Sequence, residues 1–113
     1  MACGIYEIWC GPYFYQGSST DIERRLEWHH RNLVRGGHWN RKFLSAFRSY
    51  GWTDAGVLVE CEEHALSAWE QAYIDTNWGD EKFLNLNRHV AQHYKRRPAM
   101  MHRLVLSLYG FVW

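Results

Sequence analysis

Seven basic side chains fall between residues 24 and 48 (Arg24, Arg25, Arg31, Arg35, Arg41, Lys42 and Arg48), against a single acid, Glu27. His29, His30 and His38 share the stretch. Guanidinium forks grip phosphate in a bidentate way that an ammonium cannot, and an imidazole exchanges protons near neutral pH. Together they point to a polyanion-facing surface. Residues 49–81 invert the pattern, with eight carboxylates and neither Lys nor Arg, so the formal net charge of +1 conceals two segregated blocks. Lys95, Arg96, Arg97 and Arg103 form a second basic cluster. Two of the three phenols in the first fifteen residues, Tyr6 and Tyr15, stand on the candidate strands nine residues apart. Cys3, Cys10 and Cys61 lack C-x-x-C spacing, and the seven histidines show no finger-like spacing, which argues against a zinc module and a disulfide scaffold.

These groups need a scaffold. At 113 residues, 47% hydrophobic, 17% aromatic and 22% charged, the chain has material for one folded domain. Gly4 to Cys10 and Tyr13 to Gly17 are rich in β-branched and aromatic residues and flank Gly11-Pro12, which reads as a β-hairpin. Thr20-Asp21-Ile22-Glu23 fits a capping box, with Thr20 as the cap and Glu23 reaching back to it. A helix is expected over 21–34, with Ile22, Leu26 and Leu33 inward and Gly36-Gly37 as its stop. Phe43, Leu44 and Phe47 predict a second helix over 40–50, ended by Gly51. Val57-Leu58-Val59 predicts a third strand, under the hairpin. Ala65, Leu66, Trp69, Ala72 and Tyr73 lie at helical spacing over 62–76, and residues 83–86 read as extended or turn-like. Pro98 opens a terminal helix through residue 108. The order ββααβα gives an α+β domain, a small, mostly antiparallel three-stranded sheet flanked by helices, with a short extra C-terminal helical segment. No basic-then-apolar leader precedes the first strand. The apolar run 104–113 is about half the ~20 residues a spanning helix needs, so a soluble protein of a reducing compartment is expected.

Gly4-Ile5-Tyr6 and Tyr15-Gln16-Gly17 resemble the paired tripeptides of GIY-YIG endonucleases. The likeness continues along the chain. Residues 15–25, YQGSSTDIERR, are similar to the family's strand, polar loop and capped helix, with Arg25 in the place of its catalytic arginine. Gly36-Gly37-His38 resembles the G-x-H that phage and intron-encoded homing members place ahead of their second helix. Trp69-Glu70-Gln71-Ala72-Tyr73-Ile74 resembles the helix bearing the metal-binding glutamate, and Leu84-Asn85-Leu86 the asparagine that closes the site. These elements span residues 3–87 in order. One position departs: Gln16 stands where the family usually has a small aliphatic residue, on the strand face opposite Tyr15 and Gly17. If that face is buried, its amide needs hydrogen-bond partners.

The resemblance implies a divalent-metal-dependent endonuclease that hydrolyses DNA phosphodiester bonds, of a free-standing phage or mobile-element homing type. Such an enzyme would be cytoplasmic in a bacterial or phage-infected cell. Residues 1–90 would form the nuclease domain, and 91–113 a basic and apolar extension packed on it. Tyr6, Tyr15, Arg25, His38, Glu70 and Asn85 take the catalytic positions. Glu70 is the ligand for Mg²⁺, with Mn²⁺ able to substitute. Tyr6 is expected as base or base relay and Tyr15 as the group orienting water or phosphate, although the family leaves open which tyrosine takes the proton. A phenol of pKa ~10 serves as a base only where cations favour phenolate, and Arg25 and the metal would supply that field. His38 is a second candidate for proton transfer. His29, one turn beyond Arg25, can also face the cleft. Asn85 holds the site through its amide. Arg24, Arg31, Arg35, Arg41, Lys42 and Arg48 are expected to contact phosphates of double-stranded DNA, with Trp39 or Trp52 stacking on a splayed base. With few residues beyond the domain, sequence specificity is expected to be low or to come from a homodimer or a partner protein. A module of the same fold that binds nucleic acid without cutting it is the alternative.

Overall fold

The hairpin is built where the Gly-Pro turn places it. In a computed structural model that describes residues 2–90, β1 (Gly4–Cys10) and β2 (Tyr13–Ser19) pair antiparallel from Gly4 opposite Ser19 to Cys10 opposite Tyr13. Gly11 supplies the left-handed turn conformation at φ 62°. β3 (Asp54–Glu60) does not lie under this hairpin. It pairs with the other edge of β1, giving one antiparallel sheet in the order β2-β1-β3. The correction has a simple cause: β1 is buried along most of its length, so the amides on its far edge need a strand partner. The terminal helix and the extension 91–113 lie outside the described residues.

Helix α1 (Ile22–Arg35) starts one residue later than expected and is capped differently. Asp21, not Thr20, is the cap, accepting from the Arg24 amide at 3.3 Å, while Ser19 Oγ accepts from the Asp21 amide. Glu23 turns away from the cap and accepts from the Ala2 amide instead. At the other end Gly36 adopts φ 78°, and the amides of Gly36 and Gly37 close on Leu33 and Asn32. Helix α2 (Arg41–Tyr50) is capped by the Asn40 side chain, which accepts from the Phe43 amide at 3.0 Å. A 3₁₀ turn (Glu63–Ala65) leads into α3 (Leu66–Asn77), so the helix expected from residue 62 opens tightly wound.

Alternation along the strands assigns the helices to faces. Tyr6, Ile8, Cys10 and Tyr15 pack with Ile22 and Leu33 of α1 and Phe43, Leu44 and Ala46 of α2. The other face carries Phe14, which packs with Ile74 of α3 and with Phe83. Residues 83–86 follow the edge of β2: Phe14 donates to the Lys82 carbonyl, and the Leu84 amide donates back to Phe14 at 2.8 Å.

Two helix faces differ from their apolar patterns. α1 buries Arg25, His29 and Asn32 beside Ile22 and Leu33, whereas Leu26 is only half-buried. α3 buries Leu66, Ser67, Glu70 and Ile74 and leaves Trp69 43% exposed. A buried polar stripe costs free energy unless it is hydrogen-bonded, so its presence on both helices marks what they are positioned to do.

Candidate active site

Seven of the polar or phenolic residues singled out in the sequence (Tyr6, Tyr15, Arg25, His29, His38, Glu70 and Asn85) are buried. Three of them form a chain. The fully buried Tyr6 hydroxyl lies 2.6 Å from His29 Nε2, and His29 Nδ1 lies 2.8 Å from His38 Nε2. His38 Nδ1 accepts from the Asn40 main-chain amide at 3.0 Å. The two imidazoles stack at 5.0 Å between ring centroids, and Tyr15, itself stacked on Phe43, closes over His29 at 5.1 Å. His29 is therefore the hub of the cluster. Its burial follows from α1 periodicity, because it lies one turn beyond Arg25 on the face turned to the hairpin.

Gly17 makes this packing possible. A Cβ there would stand 2.5 Å from the Tyr6 hydroxyl oxygen, so any side chain would displace the phenol. Burial pushes the Tyr6 phenol up to about 12, although the charge of Arg25 and its hydrogen bond act to lower it and the charge of Glu70 raises it further. His29 is driven well below its usual value by burial first, then by the charges of Arg25 and His38. Burial and the Arg25 charge take His38 down to about 4. Both rings are neutral at pH 7.

Glu70 arrives from the opposite face of the sheet, at the Ser18 end of β2. Ser18 Oγ donates to Glu70 Oε1 at 2.7 Å, and the carboxyl is 4% exposed. Burial raises it to about 7, against the lowering effects of the Ser18 hydrogen bond and the Arg25 charge. Arg25 thus acts electrostatically on Tyr6, His29, His38 and Glu70 together. Its guanidinium carbon lies 4.0 Å from the centre of the Trp28 ring, an aromatic lid of cation–π character. The same Arg25 and Trp28 line an open concavity of about 300 Å³ with Ser19, Asp21, Arg24 and Arg31.

The Asn85 amide hydrogen-bonds to the β2 backbone and not to these side chains. Its Oδ1 accepts from the Gln16 amide at 2.9 Å and its Nδ2 donates to the Gln16 carbonyl at 2.7 Å, which clamps β2 where Tyr15 and Gly17 project. The Gln16 side chain is indeed buried and is satisfied: Nε2 donates to Glu7 at 2.8 Å, and Oε1 accepts from Asn77 at 3.1 Å.

The basic residues do not form one surface. Arg24 and Arg31 share the concavity of Arg25, whereas Arg41 and Lys42 line a separate one with Tyr13 and Tyr50. Arg35 donates to Asn32 at 2.6 Å, and Arg48 lies beside Gly36, at the far end of α1. Trp39 stacks on His38, and Trp52 packs against His30 and the core. The tryptophan at the concavity is Trp28, which spacing could have flagged, since it stands three residues after Arg25. Ser18 and Asn40 carried no signal of their own beyond lying beside Gly17 and His38.

No protein-family model and no curated protein matches the chain. Among solved structures, a mutant of the catalytic domain of intron endonuclease I-TevI superimposes with a TM-score of 0.69 at 24% identity, covering 80% of this chain and 98% of that domain. The buried Tyr–His–His chain, the arginine that lines the concavity and the buried carboxylate are thus carried on the GIY-YIG fold.

Proposed function

We propose that this chain is a divalent-metal-dependent DNA endonuclease that hydrolyses phosphodiester bonds, of the free-standing homing type. The observation that carries the reading is that one buried arginine, Arg25 of α1, acts on both Tyr6 of β1 and Glu70 of α3 and itself lines a concavity with Arg24 and Arg31. A polar cluster this deeply buried costs folding free energy, which a mere binding surface has no reason to spend.

Arg25, held against Trp28, offers its guanidinium to a phosphate entering the concavity and neutralises charge that grows on the phosphoryl oxygens. On this reading Tyr6 acts as the base only after its own proton has been given up, as a phenolate that then takes the proton of the attacking water, and Tyr15, stacked on Phe43, packs against the same His29. The donor set fits a hard dication: Glu70 is a single carboxylate that burial raises to about 7 in spite of the Arg25 charge, and Mg²⁺ binds through one or two carboxylates while keeping several waters. Glu70 would hold Mg²⁺, or Mn²⁺ in its place. When bound, the cation supplies charge stabilisation on the reacting oxygens. Arg24 and Arg31 extend the contact to neighbouring phosphates of double-stranded DNA, contacts that read no base sequence, so specificity is low or is supplied by a homodimer or a partner protein.

Incubation with supercoiled plasmid and Mg²⁺ should yield nicked or linear product, and Glu70→Ala should bind DNA without cutting it. A wild-type protein that binds DNA but cuts under no divalent ion would instead be a binding module of this fold.

A further inference from the structure

Hydrogen-bond polarity can be followed through the Tyr6 chain from its far end. A main-chain N–H is always a donor, so the Asn40 amide, 3.0 Å from His38 Nδ1, leaves that nitrogen without a proton. A neutral His38 must then carry its proton on Nε2, and it donates to His29 Nδ1 across 2.8 Å. His29, accepting at Nδ1, must in turn carry its proton on Nε2, 2.6 Å from the Tyr6 oxygen. Tautomers in such chains are set by these relations, and here one end cannot be reversed.

We propose that the Asn40 amide fixes the direction of this chain, so that both imidazoles are neutral Nε2–H tautomers whose donors run toward the Tyr6 oxygen. Asn40 and His38 are then positioning residues that act through His29. The inference rests on the reading of Tyr6 as a reacting group and specifies its supporting shell. His29 Nε2 already bears a proton, so it cannot receive the one on Tyr6. The phenol oxygen instead accepts from His29 and from Arg25, and its own proton is directed away from the histidines. The same two donors solvate a phenolate when that proton leaves.

Asn40 is built for this duty. It is fully buried and held at three points: its amide on His38, its Oδ1 on the Phe43 amide, and its Nδ2 on the Leu84 carbonyl at 3.0 Å. It ties the histidine chain to the start of α2 and to the segment that carries Asn85. Neutrality of both rings, which the tautomer argument requires, follows from their burial beside the Arg25 cation.

Long-range proton–nitrogen NMR on the full chain labelled with ¹⁵N, at pH 7 without DNA or metal, tests this directly. The expected result is Nε2 protonated and Nδ1 unprotonated in both His29 and His38, with through-hydrogen-bond couplings from the Asn40 nitrogen to His38 Nδ1 and from His38 Nε2 to His29 Nδ1. A proton on Nδ1 of either ring, or an imidazolium at either position, overturns the proposal. His38→Gln keeps a donor toward His29 and an acceptor for Asn40, and should leave His29 in the same tautomer; a shift of its proton to Nδ1 would count against the assigned direction. The tautomers are read without turnover, so a protein that never cuts DNA can still confirm the chain. Conversely, an active nuclease with the opposite tautomers would refute only this inference.

Discussion

Replacing His38 by glutamine should make the protein less sensitive to acid, by an amount the structure sets. An unfolded histidine takes its proton near 6.5, while His38 in the fold resists protonation until about 4. Between those values the unfolded chain binds a proton that the native one refuses. His38 therefore costs no stability above pH 6.5 and progressively more as pH falls toward 4. At about 1.4 kcal/mol per pH unit, the loss reaches roughly 3 kcal/mol. That is a large share of the ~5–15 kcal/mol that holds a domain together. His29, lowered further still, acts in the same direction. Glu70 opposes both: its carboxyl is raised from 4.5 to about 7, so its stabilisation is complete below pH 4.5 and is lost as pH rises through 7. The wild-type profile alone would mix these contributions. Urea unfolding of the metal-free wild type and His38→Gln, from pH 7 down to pH 4.5, separates them. The wild type should lose about 1.4 kcal/mol per unit relative to the variant below pH 6.5, because glutamine does not titrate. Parallel stability curves across that range would show that His38 protonates as freely in the fold as in the unfolded chain, and the buried neutral chain would be refuted.

Other perturbations probe separate parts of the site. Gly17→Ala places a methyl 2.5 Å from the Tyr6 hydroxyl and should cost about 1–3 kcal/mol in chemical denaturation, with activity falling as the phenol is displaced. Gln16→Leu, which restores an aliphatic residue at that position, leaves Glu7 and Asn77 short of a partner and should destabilise by about 1–2 kcal/mol; a gain in stability would mean that those partners find water without penalty. Arg24→Ala and Arg31→Ala should each weaken duplex binding about equally for all sequences and reduce the slope of log K against log salt by about one, measured by fluorescence anisotropy over a salt series.

The hairpin, the helix order and most of the site were legible because their signals are local. A Gly-Pro turn, a glycine after each of the first two helices and the two tyrosine tripeptides are read within a few residues of one another. Capping was misplaced by a single position because Thr20 and Asp21 are both competent caps, and Ser19, by binding the Asp21 amide, favours the second. The outward face of α3 was not legible. Trp69, Ala72 and Tyr73 form the apolar stripe, yet Ser67 and Glu70 point inward, since the end of β2 supplies Ser18 to receive the carboxyl. The same holds for His29: its helix register was clear, but its place between Tyr6 and His38 depends on contacts 23 residues one way and 9 the other. The division of the basic residues between two concavities is likewise a product of tertiary packing, which a charge run cannot show.

The central claim is that Arg25 and Glu70 belong to one catalytic unit. Single-turnover cleavage of duplex DNA by the wild type, Arg25→Ala, Glu70→Ala and the double variant measures this most directly. Each single substitution should cost at least about 10²-fold in rate, and the double should be little worse than either alone, as for groups that act together. Losses that multiply, or a single variant that cuts at the wild-type rate, would show that the two side chains do not serve the same reaction.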